Sequence, residues 1–264
     1  MKDVKGIIDQ KSLRISASTH ILICNSGFWI GFFVLLLCLV VHSSYVHRIA
    51  IQEPKIEYRP SALIYSLQGI FFGGYIQLFP LVACLPGFVF KKRTVHVEKI
   101  INKHKCMRNV AISFFSGAFV CVLPYALHTI VCNIIALPVD PRLYPEHEMS
   151  FWGIYNDIYY IDGGIWMYLF IASGMMICGG AYSLLFFVVS EFMCASDSAL
   201  VIPSLMYHIW LRFGVYFDES GIPLPPFLIS NDALTVEDAI LSVMIYATII
   251  VMLIFIYQKK WSAR

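Results

Sequence analysis

The sequence predicts an all-α polytopic membrane protein with six transmembrane helices. Apolar residues make up 59% of the 264 residues and charged residues only 14%, whereas soluble domains are about 45–50% apolar and about 25% charged. Long runs contain no Asp, Glu, Lys or Arg. Such runs form helices in lipid, because the backbone there must satisfy its own hydrogen bonds. We therefore interpret residues 1–264 as a single transmembrane domain.

The chain begins with a predicted cytoplasmic segment over residues 1–27. Val4, Ile7, Ile8 and Ile15 share roughly one helical face there, with lysines elsewhere, which is typical of an amphipathic helix lying on the inner leaflet. The alternative is an N-terminal tail without regular structure. Six predicted spans follow, each with few or no charged side chains: about 28–45, 65–90, 109–136, 164–190, 198–213 and 239–258.

The distribution of lysine and arginine predicts the orientation of the spans. With six spans, 14 of the 19 basic residues fall in the N-terminal segment, the second loop and the C-terminal tail, which places both termini in the cytoplasm. With only five spans the tail, with Lys259, Lys260 and Arg264, would face outward, so the bias also supports the short fifth span. The acidic residues instead lie mainly in the predicted outer loops.

The second loop carries an amphipathic pattern. Apolar positions recur at i, i+3, i+4 and i+7, as on one face of a helix. This predicts a short cytoplasmic helix between spans two and three, which either rests on lipid headgroups or docks in a groove of a soluble partner. Its apolar face consists of Val97, Ile100, Ile101 and His104, and Glu98 and Lys103 lie on the other faces.

Small residues and prolines within the spans predict how the helices pack. Small residues four positions apart let membrane helices approach closely, and proline removes a backbone donor and bends its helix. Packing within one subunit is the favoured interpretation of the small pairs, and a subunit interface is the alternative. The pairs are Gly69 with Gly73, Ser113 with Gly117, and Gly174 with Cys178; the prolines are Pro80, Pro86, Pro124 and Pro203.

Motifs for catalysis are absent from the sequence. It contains no HExxH, no GxSxG and no GxxxxGK[ST] phosphate loop. We therefore expect a chain that is not an enzyme and that holds no cofactor or metal of its own.

The chain's eight cysteines form no CxxC pair and are expected to be packing residues. For His42, His128 and His208 we favour packing or interfacial roles over metal binding or proton relay. Topology accounts for the basic residues, so no nucleic-acid partner is expected.

The stretch from Leu78 to His128 resembles the permease subunits of small bacterial type-2 ABC exporters. In that family a proline-rich end of the second helix leads into a basic coupling segment, and the third helix carries a small-residue pair and a proline. The stretches FWGIYNDIYYIDGG and ALVIPSLMYHIW also resemble the family's loop before the fourth helix and its fifth helix. Residues 87–92 depart from the pattern, because a more polar, glutamate-containing continuation is expected there. The matching residues are Phe79, Pro80, Leu85, Pro86, Arg108, Ser116, Gly117 and Pro124.

The resemblance implies a permease of the bacterial cytoplasmic membrane that forms a pathway as a homodimer or heterodimer. Separate cytoplasmic ABC ATPase subunits would bind ATP and Mg. Residues 212–238, around GIPLPPF, would form a partly re-entrant outer hairpin. The ATPase would contact Val97, Glu98, Ile100, Ile101, Lys103, His104 and Met107.

The cargo is expected to be a peptide of the bacteriocin or toxin type, because exporters of this shape often carry such peptides; lipids, glycans and hydrophobic drugs are the alternatives. The alternative function is a non-transporting accessory or immunity membrane protein that binds a peptide or another membrane subunit.

The predicted topology can be tested by labelling with a membrane-impermeant thiol reagent in a background without native cysteines. We expect a Glu148→Cys variant to be modified from outside and a Lys99→Cys variant to be spared, because the basic second loop is cytoplasmic. Labelling at position 99 from outside would overturn the orientation.

Overall fold

The computed structural model describes residues 25–52, 74–94, 103–135, 165–193, 196–216 and 236–262. Within these ranges every element is an α-helix, which confirms the all-α prediction for this part of the chain. The predicted interfacial helix, the segment from Val97 to Ile101 and most of the outer hairpin lie outside the described residues. The six helices are α1 (Ser26–Gln52), α2 (Gly74–Thr94), α3 (Lys103–Ile135), α4 (Ile165–Phe192), α5 (Ser196–Tyr216) and α6 (Val236–Ser262).

Four of these helices are long and apolar enough to cross a membrane: Ser26–Ser44 in α1, Met107–Cys132 in α3, Tyr168–Phe192 in α4 and Val243–Lys260 in α6. Helix α2 contributes a shorter apolar stretch, Gln77–Val89, and Lys91, Lys92 and Arg93 occupy its last turn. Several apolar helices of this kind are consistent with a membrane protein.

Helices α2 and α4 occupy the centre of the bundle. Helix α4 packs most extensively against α3 and also contacts α2, α5 and α6, while α2 contacts α1, α3, α4 and α5. Large side chains fill the interior, and those that are fully buried include Leu35, Phe79, Tyr125, Phe186 and Tyr207.

Many large apolar side chains point away from the bundle, among them Phe33, Ile134 and Phe255. Lipid is as apolar as the protein interior, so apolar burial alone cannot hold such helices together in a membrane. Close packing and hydrogen bonds between helices must hold them.

Contacts near the helix ends show that consecutive helices from α1 to α4 run antiparallel. The amide of Asn25, just before α1, reaches Pro86 late in α2, and Ser113, early in α3, reaches Ser183 late in α4. The Lys260 ammonium near the end of α6 donates to the Glu191 carbonyl at the end of α4. We call this end of the bundle the basic end, where α1 and α3 begin and α2, α4 and α6 finish.

Helices α2, α3 and α5 continue through their internal prolines. Pro80 and Pro86 lie inside α2, Pro124 inside α3 and Pro203 inside α5, and all four are buried. Proline within a membrane helix is tolerated where neighbouring helices and side chains compensate for the lost backbone bond.

Candidate functional site

A group of polar and small residues joins four helices near the basic end. We call Asn25, Pro86, Gly87, Ser113 and Ser183 the four-helix junction. The Asn25 side chain accepts a hydrogen bond from the Gly27 N–H at 2.9 Å and so caps α1. Its amide Nδ2 donates to the Pro86 carbonyl at 2.8 Å. One buried amide therefore both begins α1 and attaches it to α2.

The other side of α2 rests on α3 and α4 at Gly87. A Cβ placed on Gly87 would lie 3.4 Å from the Ser113 hydroxyl and 3.4 Å from the Ser183 hydroxyl, so the two serines come close to its backbone. Ser113 also donates to the Ser183 carbonyl at 3.1 Å. The Pro86–Gly87 pair is thus in contact with α1 on one side and with α3 and α4 on the other.

The small-residue pair Ser113 and Gly117 faces α4 within the same chain. A Cβ on Gly117 would collide with the Ser183 Cβ and lie 2.6 Å from the Gly179 carbonyl oxygen. A Cβ on Gly179 would in turn lie 2.7 Å from the Gly117 carbonyl oxygen. Cβ atoms essentially never come this close to other atoms. The backbones of α3 and α4 therefore touch at a point where only glycine fits.

A second close crossing, between α1 and α2, involves Gly27 and Gly31. A Cβ on Gly27 would lie 2.5 Å from the Leu85 carbonyl oxygen, and one on Gly31 would lie 2.7 Å from a methyl carbon of Val82. Sequence reasoning missed this pair, although its GxxxG spacing is the signal that indicated the other small-residue pairs.

Three buried tyrosines meet deeper in the bundle, and we call Tyr182, Tyr207 and Tyr246 the tyrosine cluster. They come from α4, α5 and α6. The hydroxyls of Tyr182 and Tyr246 are 3.1 Å apart and hydrogen-bonded. The Tyr207 ring packs edge-on against that of Tyr182, with centroids 5.6 Å apart. The Cys84 thiol of α2 donates to the Tyr182 carbonyl at 3.4 Å. The cluster joins α2 and the last three helices.

A polar contact between α1 and α3 involves Ser43, His128 and Cys132. The Ser43 hydroxyl donates to the Leu39 carbonyl at 2.5 Å and lies 2.6 Å from His128 Nε2. The Cys132 Sγ lies 3.6 Å from His128 Nε2 and 3.8 Å from Nδ1, so the three side chains form one polar contact. The four-residue spacing of His128 and Cys132 was a signal for this pairing.

Predicted coupling and packing residues fall partly outside the described chain. Lys103 and His104 lie in the first turn of α3. Met107 follows in the same helix, with an exposed side chain whose sulfur accepts a hydrogen bond from Gln258 of α6 at 3.1 Å. Of the predicted coupling and packing residues, those outside the described ranges are Gly69, Gly73, Val97, Glu98, Ile100 and Ile101.

Searches against protein-family models, curated proteins and solved structures found no match to this chain.

The chemistry of the described interior is neutral. Its buried polar side chains are asparagine, serine, threonine and histidine, without a carboxylate or an ammonium. Within the described ranges no three His, Cys, Asp or Glu side chains lie together as a metal site would require. These groups can hold helices in register through hydrogen bonds.

The two roles of Asn25 can be separated by substitution. Asn25→Ser retains a capping oxygen but is too short to reach Pro86, whereas Asn25→Ala removes both bonds. We expect the free energy of unfolding in detergent to fall by about 1–3 kcal/mol for Ala, since a cap contributes about 1 kcal/mol and an interhelical bond in a membrane about 0.6 to 1.7 kcal/mol. The free energy of unfolding of Asn25→Ser should lie between those of the wild-type protein and Asn25→Ala.

Ser44→Ala is the control, because the exposed Ser44 hydroxyl bonds only within α1, to Val40. An Asn25→Ala variant as stable as the wild-type protein would show that the cap and the interhelical bond do not hold α1 in place.

Proposed function

We propose that this chain is the membrane-spanning permease subunit of an ATP-driven ABC exporter in a bacterial cytoplasmic membrane, with cytoplasmic termini. Two copies would form the pathway, and separate ATPase subunits would supply the energy. The observation that carries the proposal is the four-helix junction. It places the end of α2, from which the basic second loop departs, in contact with α1, α3 and α4 at once.

The junction suits mechanical transmission from the second loop. Residues 95–102 connect the end of α2 to the start of α3, and both helices continue from there into the bundle interior. Because α3 and α4 touch through glycine backbones at Gly117 and Gly179, they cannot slide freely past each other. A displacement of the loop would therefore move several helices together.

The energy for such a displacement would come from a partner, since the sequence has no phosphate loop. If the chain works as type-2 exporters do, the apolar face of Val97, Ile100 and Ile101 enters a groove on the ATPase. Full burial of an aliphatic side chain contributes about 1.5–3 kcal/mol. A face of three such residues is sufficient for a stable but reversible contact.

The filled core favours a pathway between two copies over one through a single bundle. Leu35, Phe79, Tyr125 and Phe186 are each at most 1% exposed and occupy the interior of the one chain. A second copy, identical or closely related, would supply the other wall. A particle that exports with one permease copy would contradict this arrangement.

The proposed cargo is a peptide of the bacteriocin or toxin type. The predicted outer segment before α4 is aromatic and acidic, with Tyr155, Asp157, Tyr159, Tyr160 and Asp162. Such a surface would not repel a cationic peptide as it leaves the membrane.

The coupling role can be tested with Ile100→Asp. A carboxylate on the apolar face should prevent docking, so the ATPase should no longer copurify and transport-linked ATP hydrolysis should be lost, while the permease still reaches the membrane. Lys103→Ala, at a predicted polar contact off the apolar face, is the matched control. It should change little, because a single exposed charge pair contributes about 0 to 1 kcal/mol. The readouts are copurification of an ABC ATPase coexpressed with the chain and export of the peptide.

Normal ATPase binding and export by the Ile100→Asp variant would mean that the loop rests on lipid headgroups and does not couple to a partner. If even the wild-type chain copurifies with no ATPase, a non-transporting accessory or immunity protein becomes the better description.

A further inference from the structure

The Tyr207 hydroxyl lies in the buried interior of the described bundle. Its side chain is 0% exposed, and among the described residues no donor or acceptor pairs with its oxygen. Leaving a buried hydroxyl unpaired costs free energy, and such groups in native structures require a physical explanation. The other two members of the tyrosine cluster, Tyr182 and Tyr246, are bonded to each other.

A suitable acceptor lies next to Tyr207. Its ring contacts the ring of Tyr182, with centroids 5.6 Å apart. The Tyr182–Tyr246 bond uses one proton and one lone pair, and Tyr246 also shares a hydrogen bond with Cys178, but each phenolic oxygen has two lone pairs. That pair can therefore accept a further hydrogen bond. On the other side, Tyr207 meets the Phe79 ring at 6.5 Å, which offers no hydrogen-bonding atom.

Helix α5, which carries Tyr207, is attached along one line of contacts. Its buried residues Ala199, Pro203 and Tyr207 are spaced by four, while Leu205 and Met206 are exposed. It packs mainly against α2 and α4. Glycine crossings with touching backbones interlock α3 with α4 and α1 with α2, whereas residues 197–209 of α5, the part whose burial is described, contain no glycine. A small movement of α5 disrupts fewer contacts than the same movement of α3 or α4.

We propose that α5 has a second position on α2 and α4, in which the Tyr207 hydroxyl donates to the Tyr182–Tyr246 pair. The described structure is then the state with this bond open, and the two states form a switch built on one hydroxyl. The inference concerns the helix bundle itself and does not depend on the exporter role.

The test combines fluorine NMR with thermal unfolding of the full chain in detergent. Trifluoromethylphenylalanine at the exposed position 205 reports the surroundings of α5 without removing any cysteine. Wild-type protein should give two resonances. Tyr207→Phe should give one and raise the melting temperature by about 2 to 4 °C, because the unpaired hydroxyl is gone. The double variant Tyr182→Phe with Tyr246→Phe should also give one resonance but lower the melting temperature, because it removes both acceptor oxygens and the bond between them.

Either of two results would overturn the switch. A single wild-type resonance that Tyr207→Phe leaves unchanged would mean that α5 has one position. A lower melting temperature for Tyr207→Phe would mean that the hydroxyl is already bonded in the described state, as by a buried water molecule.

Discussion

The contact of α3 with α4 at Gly117 and Gly179 is the constraint on which the rest of the bundle depends. In lipid no hydrophobic force draws helices together, so attraction between them comes from atoms in close contact and from hydrogen bonds. Both depend on how near the backbones approach. Two glycines facing each other allow the nearest approach possible, and the Ser113–Ser183 bond fixes the register one turn away. The remaining helices pack around this pair.

The position of helix α2 depends on that arrangement, because Gly87 packs beside Ser113 and Ser183. The position of α1 depends in turn on α2, through the Asn25 hydrogen bond and the second glycine crossing. The result is a continuous set of close contacts from the basic end into the interior, without a buried charge in the described part. Such a body moves as a unit. Helices α5 and α6 join it through aliphatic and aromatic side chains, which can repack with less disruption than touching backbones.

The sequence was sufficient to predict that the described part of the chain is helical, with apolar helices of the membrane type, because charge-free runs and the absence of water in lipid leave little choice. Ser113 and Gly117 were recognisable as packing residues from spacing alone. The partners of those residues were not, since pairing depends on the rotation of each helix. Periodicity fails to reveal rotation here, because exposed residues such as Phe33 and Phe255 are as apolar as the buried ones. The bond between Tyr182 and Tyr246 joins positions 64 apart in the chain, with no local signal. Residues 95–102, on which the coupling role depends, lie outside the described ranges.

The central claim is that the glycine contact between α3 and α4 holds the bundle together, and thermal unfolding of Gly117→Ala in detergent tests it most directly. One methyl group at this position would collide with Ser183 and lie 2.6 Å from the Gly179 oxygen. Overpacking of this kind costs about 1–3 kcal/mol, so the melting temperature should fall by several degrees. Ala111→Leu adds more volume on an exposed face of the same helix and should leave the melting temperature unchanged. Equal melting temperatures for Gly117→Ala and the wild-type protein would contradict the claim.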